Sequence, residues 1–344
     1  MRLILFSVGL LFFSAFPVYP QAQQVFCVKC HGKLAQGKHV HSAINSPVGC
    51  DVCHSGIIAK STPHKKSNMN EKGLMALQPD LCYSCHEKEL FTKKDVHTAI
   101  SMGCTICHNP HSAKNDKLLF TEQPDICYPC HKKSTFTKKD VHAAISMGCT
   151  SCHNPHSTDT NKLLVAGQPG LCYTCHDKAM FTKKDVHAAI GMGCTSCHNP
   201  HSTDTAKLLT AGQPEVCYTC HDKGMFAKKT VHSPVAAGMC LSCHSAHSSD
   251  EMVLLLKKPV DVCLECHADV PAKAHGAALS SAGRHPLSGL TTTMQGEGVP
   301  PKPAKPGKPF YCGSCHNPHS TDTPHLFQFD ARSPEDLCAH CHKG

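Results

Sequence analysis

The chain contains no tryptophan, and only 6% of its residues are aromatic. That excludes a large core built round aromatic side chains. The apolar fraction is 40%, but cysteine is counted in it. Without cysteine the fraction falls to roughly a third, thin for an ordinary core in a chain this long. There is no run of alternating apolar and polar residues, so sheets of long strands are not expected. Gln-Pro and Asn-Pro steps recur and interrupt helices. After the first residues no apolar stretch approaches the ~20 residues a spanning helix needs. Something other than side chains must therefore supply buried apolar surface.

The first residues read as an export signal. Arg2 supplies a positive start, Leu3 to Phe16 is an uncharged apolar run, and Pro17 to Ala22 resembles a cleavage region ending at Ala22. An exported chain with 26 cysteines invites two ordinary explanations, a disulfide framework or a set of zinc ribbons.

The spacing of the cysteines decides against both. Cys-x-x-Cys-His occurs thirteen times and leaves no cysteine over. The pairs are Cys27 with Cys30, Cys50 with Cys53, Cys82 with Cys85, Cys104 with Cys107, Cys127 with Cys130, Cys149 with Cys152, Cys172 with Cys175, Cys194 with Cys197, Cys217 with Cys220, Cys240 with Cys243, Cys263 with Cys266, Cys312 with Cys315 and Cys338 with Cys341. The histidines that follow them are His31, His54, His86, His108, His131, His153, His176, His198, His221, His244, His267, His316 and His342. At this histidine content, chance would place one after every pair with probability on the order of 10⁻¹⁴, whereas c-type haem attachment requires it. Two cysteines three positions apart form thioethers to the two vinyl groups on one haem edge. The next residue then stands over the iron as an axial ligand. Thirteen covalent haems c are expected, and they supply the missing apolar surface.

Sixteen of the 29 histidines lie outside the motifs, many of them in phase with it. His41, His97, His142, His187 and His232 precede a motif in phrases such as KKDVHTAISMGC. His111, His156, His201 and His319 follow a motif as CHNPHS, with His247 and His64 in looser versions. With His275 and His285 these make thirteen candidates for the second axial position; His39, His325 and His340 are spare. Reach sets one constraint. His111 lies three residues beyond His108, at most ~11 Å along the chain, too short to pass round a haem rim. It should ligate a neighbouring haem, as should His156, His201, His247 and His319. The upstream histidines can reach either way. Met102, Met147, Met192 and Met239, just before a cysteine, are expected to pack against haem faces.

The motifs are paired in an internal repeat. Cys82, Cys127, Cys172 and Cys217 are 45 residues apart, as are Cys104, Cys149 and Cys194. The expected organisation is a signal peptide over 1–22, tandem two-haem repeats carrying eleven haems over 23–267, a Pro-rich loop or linker over 268–311, and a C-terminal two-haem unit over 312–344. The fold class expected is a multihaem cytochrome c, mostly irregular with short α-helices, haem-packed and elongated. One such helix is expected over Phe91 to Met102.

The phrase GCTSCHNPHSTDTNKLLVAGQPGLCYTCH resembles the doubled CxxCH cytochrome family. The dense layout is also similar to decahaem cytochromes of porin–cytochrome conduits and to extracellular cytochrome filaments. The resemblance implies electron transfer across the periplasm or outer membrane towards an extracellular or terminal acceptor. The partners it implies are redox proteins: an outer-membrane β-barrel, an inner-membrane or periplasmic cytochrome, or further copies in a filament. The formal charge of +8 does not point to nucleic acid. The haem propionates of thirteen ferric bis-histidine haems take the holoprotein to about −6. The alternative from another class, a multihaem reductase of a small oxyanion or nitrogen compound, needs an open iron position. With more spare histidines than haems, an electron carrier is expected, not an enzyme.

Overall fold

In a computed structural model the described residues are 24–55, 57–58, 64–66, 73–269, 311–331, 333 and 336. The expected signal segment, nearly all of the Pro-rich stretch with His275 and His285, and the last motif with Cys338, Cys341 and His342 lie outside them. The chain divides into two bodies, Met1–Lys133 with Ser146–Val165, and Ser134–Ile145 with Ala166–Gly344.

Both bodies are made of short helical turns, mostly 3-10, and two-residue strands. One unit of the first body shows the plan. A 3-10 turn at Lys88–Phe91 leads to a strand at Asp95–Val96, then to turns at Thr98–Met102 and Cys104–Ile106. A strand at Ser112–Ala113 and a turn at Asp116–Leu118 follow. The helix expected over Phe91 to Met102 is therefore not one helix. Asp95–Val96 pairs antiparallel with Ser157–Thr158, and peptide groups committed to a ladder cannot also make helical bonds. A lone helix of that length is only marginally stable in any case.

The ladders join each unit to the next. In the first body His39–Val40 pairs with Ser112–Ala113, as Asp95–Val96 does with Ser157–Thr158. In the second, Asp140–Val141 pairs with Ser202–Thr203, Asp185–Val186 with Ser248–Ser249, and Thr230–Val231 with Ser320–Thr321. All are antiparallel.

What these contacts bury is polar. Among the described residues the buried apolar ones are Val216, Phe327 and Ala331, whereas Ser157, Ser202 and Ser320 are fully buried at 0% exposure. Each serine hydroxyl plugs into a loop of the preceding unit. Ser202 Oγ donates to the Thr135 carbonyl at 2.9 Å and accepts the Lys138 N–H at 3.2 Å. Ser157 does the same with Leu90 and Lys93, and Ser320 with Met225 and Lys228. Among the described residues no helix is long and apolar enough to cross a membrane.

Candidate functional site

Each described motif after the first is a single helical turn. In the second unit the His86 N–H donates to the Cys82 carbonyl at 2.9 Å and the Cys85 N–H to the same carbonyl at 3.1 Å. The same i→i+4 bond closes the motif at His54, His108, His131, His153, His176, His198, His221, His244, His267 and His316. One turn puts the two cysteines and the histidine on one side of the chain. None of the described cysteines is in a disulfide. Nor do three His, Cys, Asp or Glu side chains converge among the described residues, as a four-ligand zinc ribbon would require.

The fold separates the cysteines by exposure. The first cysteines, Cys27, Cys50, Cys82, Cys104, Cys127, Cys149, Cys172, Cys194, Cys217, Cys240, Cys263 and Cys312, are all half-buried. The second cysteines fall into two classes. Cys53, Cys107, Cys152, Cys197, Cys243 and Cys315 are half-buried, whereas Cys30, Cys85, Cys130, Cys175, Cys220 and Cys266 are exposed. The reason is the chain that follows. After the half-buried group it folds back over the motif, so that the Val165 N–H donates to the Cys152 carbonyl at 2.9 Å, Thr210 to Cys197 at 2.8 Å and Gln328 to Cys315 at 2.8 Å. After the exposed group it runs on into the next turn, as Cys85 does into Lys88–Phe91 and Cys175 into Lys178–Phe181. The nearest polar contacts of that group are local: the Thr174 and Thr219 hydroxyls lie 3.8 Å from the sulfurs of Cys175 and Cys220. Thioethers at these six positions would leave one haem edge at the protein rim.

The two motifs of a unit are drawn together at their first cysteines. Cys127 Sγ and Cys149 Sγ are 3.9 Å apart. Burial pushes the Cys127 thiol up to about 12, with Cys149 as the next cause; Cys82 is raised likewise to about 12, its neighbour there being Cys104. Cys217 is raised to about 11, by burial and then by Cys240. A glutamine clamps the approach: Gln78 Oε1 accepts the Thr105 N–H at 3.1 Å, and Gln123 Oε1 the Thr150 N–H at 3.1 Å. Gly103, with φ of 102°, makes the turn beneath Gln78, and a Cβ there would meet Gln78 Oε1 at 3.1 Å.

The histidines outside the motifs are placed by the ladders. The upstream and downstream groups are neighbours on paired strands. The His41 N–H donates to the His111 carbonyl at 2.8 Å, and His97 to His156 at 2.8 Å. His142 is joined to His201, His187 to His247 and His232 to His319 in the same way. Asn-Pro-His has a local reason as well. The Asn109 side chain accepts the His111 N–H at 3.0 Å, and Asn154, Asn199 and Asn317 do so for His156, His201 and His319 at 2.9 Å.

His64 faces a motif histidine of its own unit; from the ladders the other rings turn towards motif histidines of neighbouring units. In the first body His31 faces His64, His41 faces His86, His54 faces His111, His97 faces His131 and His108 faces His156, with centroids 6.0–6.1 Å apart. In the second, the pairs are His142/His176, His187/His221, His198/His247, His232/His267 and His244/His319, at 5.9–6.2 Å. Each pair joins one motif histidine to one outside the motifs. His111 is thus opposite His54, not His108. The upstream histidines, whose direction sequence left open, face the first motif of the following unit. The exchange is reciprocal. Across the His41/His111 ladder the earlier unit presents a histidine to His86, and the later unit presents one to His54.

The distance is constant although the interplanar angle runs from 10° to 52°. Two rings bound to one atom behave this way, because the bonds fix separation and leave rotation about the axis free. Bonds of about 2.0–2.1 Å to a metal, plus roughly 1.1 Å from nitrogen to ring centre, put centroids about 6.3 Å apart. The residues therefore fit an iron held between two imidazoles.

One ring of a pair is also oriented from behind. Nδ1–H of His108, His153, His198, His244 and His316 donates to the carbonyl of Lys117, Lys162, Lys207, Val253 and His325, at 2.7–3.0 Å. His97, His187 and His232 donate to Pro155, Ala246 and Pro318, each at 2.9 Å. A proton on Nδ1 leaves the Nε2 lone pair for a metal. Phenylalanines pack against the downstream group: Phe91 lies 4.9 Å from His156, Phe136 5.0 Å from His201, Phe181 4.8 Å from His247 and Phe226 5.2 Å from His319. Sequence reading passed over these phenylalanines and the buried serines, although both recur in phase with the motif. Of the spare histidines, His39 pairs through Nε2 with Asp116 at 3.1 Å. Met102, Met147 and Met192 are exposed.

Burial, followed by the facing histidine, lowers His111, His156, His247 and His319 below the ordinary 6.5; His41 is lowered by burial and by His86. The folded chain thus binds fewer protons than the unfolded chain just below that value. The stability these groups contribute is fully present above pH 6.5 and is lost as pH falls through it towards their folded values.

A search of curated proteins finds no match. The model of the Doubled CXXCH motif family matches residues 97–136, 142–181, 187–226, 232–272 and 302–344, together more than half of the chain. These motifs are covalent haem c attachment sites, and proteins of this kind are electron carriers, not catalysts. With its repeating turns, paired cysteines and facing histidines, the chain belongs to the Doubled CXXCH motif family of multihaem c-type cytochromes.

Proposed function

We propose that the chain carries thirteen haems c, nearly all with two histidine ligands, and passes electrons along them. The observation that carries this is the set of facing histidines at 5.9–6.2 Å, each matching a motif histidine to a phased partner. The proximal ligands are the motif histidines. The distal ligands are His41, His64, His97, His111, His142, His156, His187, His201, His232, His247 and His319, with His275 and His285 completing the count. The scarcity of buried apolar side chains supports the reading, since haem discs would form the core. The 3.9 Å approach of Cys127 and Cys149 would bring the thioether edges of two haems to van der Waals contact. Such contact suits transfer between haems, and two histidines per iron favour low potentials. A reductase would need an open iron position; two histidines on nearly every iron favour a carrier.

The amino-terminal signal pattern supports export. Our reading places the protein in the periplasm, at the outer membrane or outside the cell, receiving electrons from a cytochrome and delivering them to a β-barrel complex, an external acceptor or further copies. The test is purification of the native protein from fractionated cells, with iron, spectra and co-purifying chains determined together. Thirteen irons per chain, low-spin spectra and recovery from the envelope are expected. A markedly lower iron count, or a large high-spin fraction turning over a substrate, would overturn the reading.

A further inference from the structure

The carbonyls behind five motif histidines sit in an unusual turn. Lys117–Leu118, Lys162–Leu163, Lys207–Leu208, Val253–Leu254 and His325–Leu326 all have φ between 49° and 60° at both residues. Two successive non-glycine residues in the left-handed region are disfavoured by the clash of Cβ with the following carbonyl, so the turn persists against a local preference. Its central peptide is held from one side by the axial histidine, whose Nδ1–H donates to the carbonyl.

In three of the five, the other side of the same peptide is held by a carboxylate. The Leu163 N–H donates to Asp95 Oδ2, Leu208 to Asp140 Oδ2 and Leu254 to Asp185 Oδ2, each at 3.0 Å. The three aspartates are half-buried and come from the KKDVH phrase of the preceding unit. At the equivalent strand position His39 and Thr230 stand opposite the other two turns. Those turns form all the same, and their carbonyls still accept from His108 at 2.7 Å and His316 at 2.8 Å. The carboxylate is therefore not needed for the turn's shape.

We propose that Asp95, Asp140 and Asp185 act through that peptide on His153, His198 and His244, as tuning residues for the haems these histidines bind. A carboxylate accepting the peptide N–H polarises the peptide. The carbonyl becomes a stronger acceptor for the Nδ1–H, and the imidazole becomes a stronger donor to iron. A stronger donor favours the ferric state, so the three haems sit at lower potential than they would without the aspartate. The motif haems at His108 and His316, with no carboxylate at that position, form a second, higher class.

The proposal rests on His198 binding a haem iron, which an iron count on each variant checks independently. Full-length holoprotein carrying Asp140→Ala or Asp140→Asn is titrated by spectroelectrochemistry. In Asp140→Ala one haem's share of the absorbance change moves to higher potential, and exchange of the Leu208 amide proton quickens. Asp140→Asn keeps an acceptor for Leu208 without the charge, so its shift is in the same direction and smaller, and the amide stays protected. Equal shifts in both variants would assign the effect to through-space charge and overturn the relay. Unshifted titrations in both, at full iron content, would overturn it as well.

Discussion

In a His111→Ala variant, the haem at His54 is expected to become high-spin while the haem at His108 stays six-coordinate. The reason is geometric. The His111 ring faces His54 at 6.1 Å, and His108 is faced instead by His156 at 6.0 Å. One haem should therefore lose its second ligand, gain affinity for carbon monoxide when reduced, and rise in potential. Loss of a metal interaction is among the few mechanisms behind large destabilisations. The ladder itself survives, because His111 takes part through its backbone carbonyl. Removing attachment cysteines identifies the opened haem. Adding Cys50→Ala and Cys53→Ala to His111→Ala should abolish the high-spin signal. Adding Cys104→Ala and Cys107→Ala should leave it. The opposite pattern would mean that His111 serves its own motif and that the exchange is absent.

A second large effect is expected from a residue with no redox role. Ser202→Ala removes a hydroxyl at 0% exposure that holds both the Lys138 N–H and the Thr135 carbonyl. Water has little room to replace it, and each orphaned group costs roughly 1–3 kcal/mol. A loss of about 2–4 kcal/mol is expected at that junction. The Lys138 amide should then exchange about 30- to 1000-fold faster by hydrogen-exchange mass spectrometry. Exposed Ser196→Ala, whose hydroxyl bonds the Met192 carbonyl at 3.3 Å, should change little. Equal exchange in wild type and Ser202→Ala would show that the serine is not the plug described.

The motifs are readable because their chemistry is local: two cysteines and a histidine on one turn, and a histidine repeated in phase. The reach of His111 is readable for the same reason, since three residues of chain set a hard limit. The unlike exposure of Cys175 and Cys197 is not readable, because the two motifs are the same and only the path of the following chain separates them. The direction taken by His97 is hidden too, because it depends on a ladder from Asp95–Val96 to Ser157–Thr158. A two-residue strand has no alternation to betray it, and the segment from Phe91 to Met102 looks helical in isolation. Ser157 and Ser202 look like ordinary polar loop residues, and only the distant carbonyls of Leu90 and Thr135 show them buried. Asp95 and Asp140 likewise carry no local sign of their role. Their partners, Leu163 and Leu208, lie 68 residues away. What stays hidden is mostly what depends on pairing between units.

The reciprocal handing-over of histidines also bears on how such a chain can change over generations. The ladders that join one unit to the next are made by variants of the same two phrases, so a duplicated unit of 45 residues arrives with one histidine to give in each direction. It can be spliced between existing units without rewriting either neighbour. An insertion or deletion of half a unit would leave an upstream phrase facing the wrong motif and strand two irons at once. Selection on such genes should therefore tolerate gain or loss of haems in twos and resist it in ones.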